Sequence, residues 1–418
     1  MRVAVVGGGA AGCFCAILLK RRRPEADVSL FEAGPKLLAK VAVTGGGRCN
    51  LSNSFRDVAL DGRGGPARLR LEEVYPRGAQ LMRRALRALS PADTQRWFEA
   101  EGVRLLTQED QCVFPVSQDA MQIVRTLERG LRQAGVRVHL NSAVGHIATL
   151  PEGVFRVESP GQAGEDFDRV VVAVGGSSQQ KLQRLLPEGI EVTPCVPSLF
   201  TLKLPDAGLR ALTGTVVEKA ALSLAGTKFR SRGILLLTDW GVSGPATLRL
   251  SACAARYLAE KQYAGTLIIN WLDWPEAQVR TWISGTAAAN PRRQAAGTPP
   301  PGVSSRLWRH LLQRACLRGD LRWAELGSKG AARLAATLVS DAYPVAGRAR
   351  FKEEFVTCGG VDLNGVSLNT LESKACPGLY FAGEALDLDA VTGGFNLQAA
   401  WSTAALAATA VSAPGKLV

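Results

Sequence analysis

The residues near the N-terminus with the clearest potential to bind a ligand are three glycines and one glutamate. Gly7, Gly9 and Gly12 have the spacing G-x-G-x-x-G, and Glu32 lies 20 residues beyond the last of them. In this pattern the first glycine permits a tight turn, the second lets the backbone approach a pyrophosphate, and the third lets a helix pack closely on a strand. A carboxylate at the position of Glu32 accepts hydrogen bonds from a ribose with a free 2′-hydroxyl, which favours FAD or NAD over NADP.

The surrounding sequence predicts the strand, turn, helix and second strand that this motif requires. Residues 2–6 are apolar and rich in valine, which is typical of a buried parallel strand, and an apolar helix is predicted over residues 11–20. Residues 28–31 predict a second strand that ends directly before Glu32. A glycine-rich turn without a ligand is the alternative. The strand, the helix, the second strand and the acidic residue all have the expected spacing, which favours a dinucleotide site.

A second group of candidate residues follows three consecutive glycines, 45–47. Three glycines in a row break a regular element, so we predict a loop whose backbone lies close to a ligand. Arg48 and Asn50 then supply guanidinium and amide donors to that ligand. An ordinary surface turn is the alternative.

The C-terminal region repeats the combination of a strand, glycines and a helix. A predicted strand ends at Gly383 and Glu384, and Gly393 and Gly394 precede an apolar, alanine-rich helix over residues 397–411. A helix N-terminus can stabilise negative charge on a reduced flavin by about 0.3–1 kcal/mol, and up to about 2 when partly buried. We therefore expect the two ends of the chain to form one FAD site, with Glu384 near the ribityl–pyrophosphate region. A plain capping turn at Gly393 and Gly394 is the alternative.

The middle of the chain has a different pattern, which predicts an inserted domain. From Pro194 onwards, short alternating segments bounded by glycine and proline predict a small antiparallel sheet or barrel, and helices follow. The expected division is therefore 1–193 and 345–418 for an interrupted FAD-binding domain and 194–344 for the insert. Residues 55–76 and 290–302 predict irregular, mobile loops whose roles stay open.

Composition limits the class of protein. The 418 residues contain no apolar run long enough to span a bilayer, and the first strand begins too early to follow a signal peptide, so we expect a cytoplasmic protein without a membrane partner. The nine cysteines are scattered without a CxxC pair, which predicts reduced thiols and no metal site.

The net charge of +13 has two interpretations. Arginines at 77, 83, 84 and 87, and again at 306, 309, 314, 318 and 322, are favoured as solvated faces of two helices. An acidic ligand or RNA is the alternative, but no nucleic-acid-binding motif supports it, so a nucleic-acid partner is not expected.

Taken together, these motifs resemble those of the bacterial aminoacetone-oxidase-like (YhiN-like) FAD-binding flavoproteins. The resemblance rests on the N-terminal glycines, the segment TGGGRCN at 44–50, VSGP at 242–245, and the segments GEALD and GGFNLQ near the C-terminus. It implies an α/β fold with a glutathione-reductase-like Rossmann FAD domain, interrupted by a β-barrel and helical insert. It also implies FAD contacts at Gly7, Gly9, Ala11, Gly12, Glu32, Lys40, Gly46, Arg48, Asn50, Val144, Gly383, Glu384, Gly394, Phe395 and Asn396.

The expected activity is that of an FAD-dependent oxidoreductase. The leading hypothesis is hydride transfer through flavin N5, with NAD(P)H as co-substrate and a small unsaturated organic substrate. One alternative is a flavin oxidase that acts on an amine or aminoketone and uses O₂. Another is a flavin-bearing RNA-binding or RNA-modifying protein. The sequence identifies no catalytic acid or base, because His139, His146 and His310 all lie outside the flavin motifs.

Overall fold

The computed structural model describes residues 1–60, 69–161, 163–349 and 356–413. The chain forms two compact units. The first unit comprises Met1–Val196 and Val356–Val418, and the second unit comprises Pro197–Phe355.

The described residues form the following strands and helices. The strands are β1 (Arg2–Val6), β2 (Asp27–Phe31), β3 (Ser52–Asn53), β4 (Val58–Ala59), β5 (Leu69–Arg70), β6 (Leu105–Thr107), β7 (Cys112–Pro115), β8 (Arg137–His139), β9 (His146–Thr149), β10 (Phe155–Glu158), β11 (Glu165–Phe167), β12 (Arg169–Val172), β13 (Val192–Ser198), β14 (Leu202–Lys203), β15 (Val216–Leu224), β16 (Arg230–Thr238), β17 (Gly241–Ser243), β18 (Ala264–Asn270), β19 (Asp341–Ala346), β20 (Val356–Val361) and β21 (Leu379–Phe381). The helices are α1 (Ala10–Arg22), α2 (Ala39–Gly47), α3 (Leu71–Val74), α4 (Ala79–Ala88), α5 (Pro91–Ala100), α6 (Ala120–Ala134), α7 (Gln179–Leu185), α8 (Ala207–Arg210), α9 (Pro245–Cys253), α10 (Ala255–Glu260), α11 (Glu276–Ala289), α12 (Ser305–Arg314), α13 (Gly327–Ser340) and α14 (Phe395–Ser412).

The first unit is built on a parallel five-stranded sheet in the order β21-β12-β1-β2-β8. The central strand β1 is buried over residues 3–6, as expected for a valine-rich strand covered on both faces. An antiparallel three-stranded meander, β9-β10-β11, connects β8 to β12. This architecture confirms the predicted Rossmann-type α/β fold.

Helices α1 and α14 pack side by side and run in the same direction. Near their starts, Gly383 approaches both Ala11 of α1 and Ala400 of α14. At their ends, the Nε atom of Arg23 donates to the carbonyl of Ser412 at 2.8 Å. The small residues of α14 permit this close packing, and as a consequence both helix N-termini point to the same side of the sheet.

Two local expectations change in the structure. A helix that was not predicted, α2, covers the start of the triple-glycine segment, but Thr44, Gly45 and Gly46 leave helical geometry and form the expected turn. Residues 55–76 include β4, β5 and α3, so they are not irregular throughout; residues 61–68 lie outside the described residues.

The second unit contains a six-stranded antiparallel sheet in the order β14-β17-β16-β15-β18-β19. The sheet is nearly closed into a barrel because its two outer strands meet, with the backbone N–H of Lys203 donating to the carbonyl of Gly347 at 2.9 Å. Helices α11 to α13 bury Trp308 and Trp323 against the same core as Trp271. The inserted barrel with helices is thus as predicted.

A buried polar cluster joins the strands and helices of the second unit. The carboxylate of Asp341 accepts hydrogen bonds from the Tyr343 hydroxyl at 2.7 Å and from the Trp271 indole at 3.1 Å, and it pairs with Arg314 at 2.6 Å. The Nε2 atom of His310 lies 3.3 Å from the same hydroxyl. Burial raises the pKa of Tyr343, so it stays protonated, and burial also lowers the pKa of His310.

Within the described ranges, no helix combines the length and apolar character needed to cross a bilayer.

We expect the buried His310 to make stability depend on pH. Because its pKa is lower in the folded protein than in the unfolded chain, the unfolded state binds more protons on acidification. Stability should therefore fall as the pH drops below about 6.5, the usual pKa of histidine. Thermal unfolding between pH 5 and 8 should show a smaller acid-induced decrease in Tm for His310→Gln than for the wild type. His146→Gln, at an exposed position, is the control; an unchanged pH slope in His310→Gln would contradict the assignment.

Candidate functional site

The carboxyl ends of three neighbouring strands meet at one edge of the parallel sheet. Strand β1 is followed by Gly7, β12 by Gly175 and Gly176, and β21 by Gly383 and Glu384. The chain leaves β1 towards β2 on one side, whereas β12 and β21 lie on the other side. In open α/β sheets, ligands bind in the crevice at such a point of reversal.

Of the three motif glycines after β1, Gly7 and Gly12 pack against backbone atoms, whereas Gly9 faces open space. A Cβ atom on Gly7 would lie 2.4 Å from the carbonyl oxygen of Ala173, and one on Gly12 would lie 1.9 Å from the carbonyl oxygen of Gly7. A Cβ atom on Gly9 would have no neighbour within 4 Å. Gly9 also precedes α1 without a side-chain cap, so the first N–H groups of α1 remain available to a phosphate.

The carboxylate of Glu32 is fixed at the end of β2. One oxygen accepts a hydrogen bond from the N–H of Gly8 at 2.8 Å and the other accepts from the N–H of Gly34 at 2.7 Å. These bonds orient the carboxylate and leave further lone pairs, which suits a ribose diol. Val144 lies in the connection that returns past Glu32, where the N–H of Ser142 donates to the carbonyl of Glu32 at 2.8 Å.

The second predicted acidic residue, Glu384, is held by two partners. Its Oε1 atom accepts from the N–H of Thr357 at 2.7 Å, and its Oε2 atom lies 3.3 Å from the ammonium group of Lys40. The structure therefore brings Lys40 and Glu384 together, although 344 positions separate them in the sequence.

The glycine turn before Arg48 has an open surface. Gly46 and Gly47 have positive φ angles, and Cβ atoms at either position would have no neighbour within 4 Å. The exposed guanidinium of Arg48 lies 4.7 Å from the centre of the Phe114 ring, and its Nε atom donates to the carbonyl of Gly45 at 3.2 Å. The remaining N–H groups of Arg48 have no partner among the described residues.

The start of α14 is packed against the segment that contains Asn50. A Cβ atom on Gly394 would lie 2.1 Å from the carbonyl oxygen of Ser52. In the orientation that satisfies both ends of its amide, Asn50 accepts from the N–H of Gly394 at 3.2 Å and donates to the carbonyl of Ser52 at 3.0 Å. Asn50 thus positions the α14 N-terminus with its side chain.

The side chains of Phe395 and Asn396 also stabilise the protein rather than face open space. Phe395 is buried with its ring 5.1 Å from that of Phe55. The amide of Asn396 accepts from the N–H of Ala390 at 2.9 Å and donates to the carbonyl of Ala390 at 3.0 Å. Any contact of these two residues with FAD would therefore come from the backbone at the start of α14.

Three residues that support this region were not identified from the sequence. Arg77 forms a largely buried bidentate ion pair with Asp389, which precedes α14. Arg77 lies before the first residue of α4, so its interpretation as part of a solvated helix face was wrong. The hydroxyl of Tyr75 donates to the carbonyl of Phe395 at 2.9 Å, and burial keeps that hydroxyl protonated by raising its pKa.

The third such residue, Gln398, is fully buried in α14. Its carbonyl accepts from the hydroxyl of Ser52 at 2.6 Å, and its amide donates to Thr94 and Ser402, each at 2.9 Å. The segment GGFNLQ contains this residue, but its partners are distant in sequence and gave no signal.

The thiols nearest the predicted motifs are poor nucleophiles. Burial raises the pKa of Cys15 and that of Cys49 to about 12, and it raises the pKa of Cys13 further. Every cysteine in the chain is a free thiol.

The arrangement fits FAD. Open N–H groups at α1 suit a diphosphate, the oriented Glu32 carboxylate suits a ribose, and the glycine-lined surfaces at 46 and 47 leave room for a flat ring. The N-terminus of α14 lies on the same side of the sheet as that of α1, and it suits the pyrimidine edge of a flavin.

The chain is similar to known proteins over nearly its full length. The chain is 26% identical over 428 aligned positions to the 3-dehydro-bile acid delta(4,6)-reductase of Clostridium scindens, covering 98% of this chain and 99% of the relative. It is 28% identical to the ribosomal RNA dihydrouridine synthase of Escherichia coli K12, covering 96% and 95%. A crystal structure of 3-ketosteroid delta1-dehydrogenase from Sterolibacterium denitrificans aligns with 98% of this chain and 99% of that one, at 13% identity and a TM-score of 0.49.

We expect Glu32→Ala to weaken FAD binding by about 10- to 100-fold, because a hydrogen bond to a charged acceptor contributes about 1.5–3 kcal/mol. Fluorescence titration of the flavin-free protein with FAD measures the change. Glu25→Ala, at an exposed position on the surface, is the matched control. Equal FAD affinity in Glu32→Ala and the wild type would refute the ribose assignment.

We expect Arg77→Met to lower the free energy of unfolding by about 3–5 kcal/mol, because it leaves the buried Asp389 carboxylate without its ion-pair partner. Urea denaturation measures the change. Arg83→Met removes a more exposed ion pair with Glu72 and should cost less than about 1 kcal/mol. Similar losses in the two variants would show that the Arg77 pair has no special role.

The family is identified by a match over almost the whole chain. Residues 1–410 match the family model described as the HI0933-like protein Rossmann domain. The chain therefore belongs to the HI0933-like family of FAD-dependent oxidoreductases.

Proposed function

We propose that this protein uses FAD to reduce a carbon–carbon double bond conjugated to a carbonyl group, with NAD(P)H as the hydride source and solvent water as the proton source. The observation that carries the proposal is the parallel packing of α1 and α14, which directs two glycine-preceded helix N-termini to the same side of the sheet. Bound FAD accepts and delivers hydride at N5. The chain supplies binding, orientation and electrostatic stabilisation.

The start of α14 supports the reductive half of this chemistry. A reduced flavin carries negative charge at its pyrimidine edge, and a helix N-terminus favours such charge. Asn50 fixes Gly394, and the Arg77–Asp389 pair fixes the segment before it, so the helix N-terminus is pre-organised. Pre-organised dipoles need no rearrangement when charge develops.

Arg48 is the residue best placed to polarise a substrate carbonyl. Two nearby amide donors, Asn50 and Asn396, use both ends of their amides in bonds to the backbone. Arg48 is exposed and keeps N–H groups that can donate to an incoming oxygen. Withdrawing electrons from the carbonyl makes the conjugated double bond a better hydride acceptor.

The names of the relatives support the reaction class. One is named as a reductase of a 3-dehydro-bile acid and another as a ribosomal RNA dihydrouridine synthase. A dihydrouridine is a uridine whose C5–C6 double bond is saturated, and that bond is conjugated to a carbonyl. We therefore propose a small organic enone as substrate.

A second candidate substrate is a uracil base in RNA. The specific observations that favour it are the net charge of +13 and the relative named for ribosomal RNA. Backbone phosphates bind cationic surfaces with little regard to sequence, so such a charge raises affinity for RNA in general.

The experiment is an anaerobic titration of the purified flavoprotein with NADPH or NADH, followed by addition of an enone or a uridine-containing RNA. We expect the absorbance of the oxidised flavin, at about 450 nm, to bleach when the nicotinamide nucleotide is added. The absorbance should return when the substrate is added. Arg48→Gln should bleach normally but reoxidise more slowly with substrate, whereas Arg104→Gln, an exposed control, should behave like the wild type. A flavin that resists both nucleotides but is reduced by an amine would overturn the proposal in favour of an oxidase.

A further inference from the structure

The positive charge of this protein is concentrated in one part of the chain. Residues 197–355 contain 22 of the 50 lysines and arginines but only 11 of the 37 acidic residues, which gives +11 of the net +13. The first unit has 28 basic and 26 acidic residues and is close to neutral. A general preference for arginine would affect both units alike, so it does not explain this division.

Most of the excess lies in the helical part of the second unit. Residues 291–333, which we call the basic segment, contain nine lysines and arginines and two acidic residues. Arg314 is paired with Asp206 and Asp341, and Arg318 is paired with Asp320 and Glu325. The side chains of the other seven are exposed and form no ion pair with a carboxylate among the described residues: Arg292, Arg293, Arg306, Arg309, Arg322, Lys329 and Arg333.

The basic segment has a rigid frame. The backbone of residues 291–295 is hydrogen-bonded to that of residues 321–324, including a bond from the N–H of Trp323 to the carbonyl of Arg293 at 3.1 Å. The indoles of Trp308 and Trp323 donate to the carbonyl of Ala295 and to the hydroxyl of Thr298. These contacts replace the mobile loop expected for residues 290–302, and they place Arg292, Arg293 and Arg322 on adjoining backbone.

We propose that the basic segment is an RNA-binding surface that contacts the phosphate backbone. Exposed arginines on adjoining backbone, such as Arg292, Arg293 and Arg322, repel one another, and a polyanion relieves this repulsion while releasing its own counterions. The proposal deepens the RNA alternative of the proposed function, on which it rests, by assigning the RNA contact to these residues.

An anionic membrane is the less suitable partner. Basic surfaces that bind bilayers also insert large apolar side chains into the interface. The exposed large apolar residues of the described chain lie outside residues 291–333. The basic segment therefore presents charge without an exposed large apolar anchor among the described residues.

The test is fluorescence anisotropy of a labelled RNA hairpin with a uridine-containing loop, titrated with the FAD-bound protein. The titration is repeated at NaCl concentrations from about 50 to about 400 mM, so that the dependence of affinity on salt reports counterion release. The variant Arg292→Gln, Arg293→Gln, Arg322→Gln is compared with Arg87→Gln, Arg104→Gln, Arg184→Gln, which removes the same charge from exposed positions of the first unit. We expect the first variant to bind about 100-fold more weakly near 0.1 M salt, with a salt slope smaller by about 2, because each lost phosphate contact on a single strand changes the slope by about 0.7. The control should stay close to the wild type.

Three results would overturn the proposal: no binding by the wild type at 50 mM NaCl, equal weakening in both variants, or binding to vesicles of anionic phospholipid without binding to RNA. Flavin absorbance, Tm and bleaching by NAD(P)H are measured on every protein. Lost bleaching with retained RNA binding would contradict the proposed reduction alone, whereas lost RNA binding with normal bleaching locates the effect at the basic segment.

Discussion

The first unit depends on how closely α1 approaches the strand that precedes it. Gly12 and Gly7 meet so tightly that a single added carbon would lie 1.9 Å from a carbonyl oxygen. This contact holds the start of α1 at the carboxyl end of β1, where Gly9 provides no side-chain cap for the first N–H groups of the helix. Helix α14 packs along α1 in the same direction, so its own start is placed by the same contact. One steric requirement for glycine therefore positions two positively polarised helix ends.

The second constraint is the anchoring of α14 to distant parts of the chain. Arg77 and Asp389 are 312 positions apart, and Ser52 and Gln398 are 346 positions apart. The Ser52–Gln398 pair is buried and the Arg77–Asp389 pair is largely buried, so their hydrogen bonds are little exposed to competition from water. Because these anchors lie beside the start of α14, mutations far from the glycines can disturb the same helix end.

Local sequence patterns were sufficient for the features that depend on neighbouring residues. The first strand, the glycine turn and the oriented Glu32 all follow from residues 2–34, and the Rossmann-type fold follows from them. The anchors could not be found in this way, since Arg77 has the same local pattern as the solvated arginines of α4. The resemblance implies an FAD contact at Asn396, but the amide of this residue closes a local loop with Ala390. The Arg77 and Gln398 anchors depend on tertiary contacts, which a single sequence does not encode as a spacing.

The net positive charge is divided unequally between the two units, and flavoenzymes combine two tasks: binding the cofactor and binding the substrate. The hydride chemistry belongs to the cofactor, so the residues that hold it need not change when the substrate changes. In this chain the unit with the glycine-rich site is nearly neutral, and the insert carries almost all of the net charge. Relatives named for a bile acid and for ribosomal RNA are similar to this chain over nearly its full length. Since a bile acid is mainly apolar and RNA is a polyanion, the surface charge of the insert is the property that should differ most between enzymes for the two substrates. The arginines at 292, 293 and 322, whose side chains form no ion pair within the described part of the chain, are consequently the residues on which the RNA proposal depends.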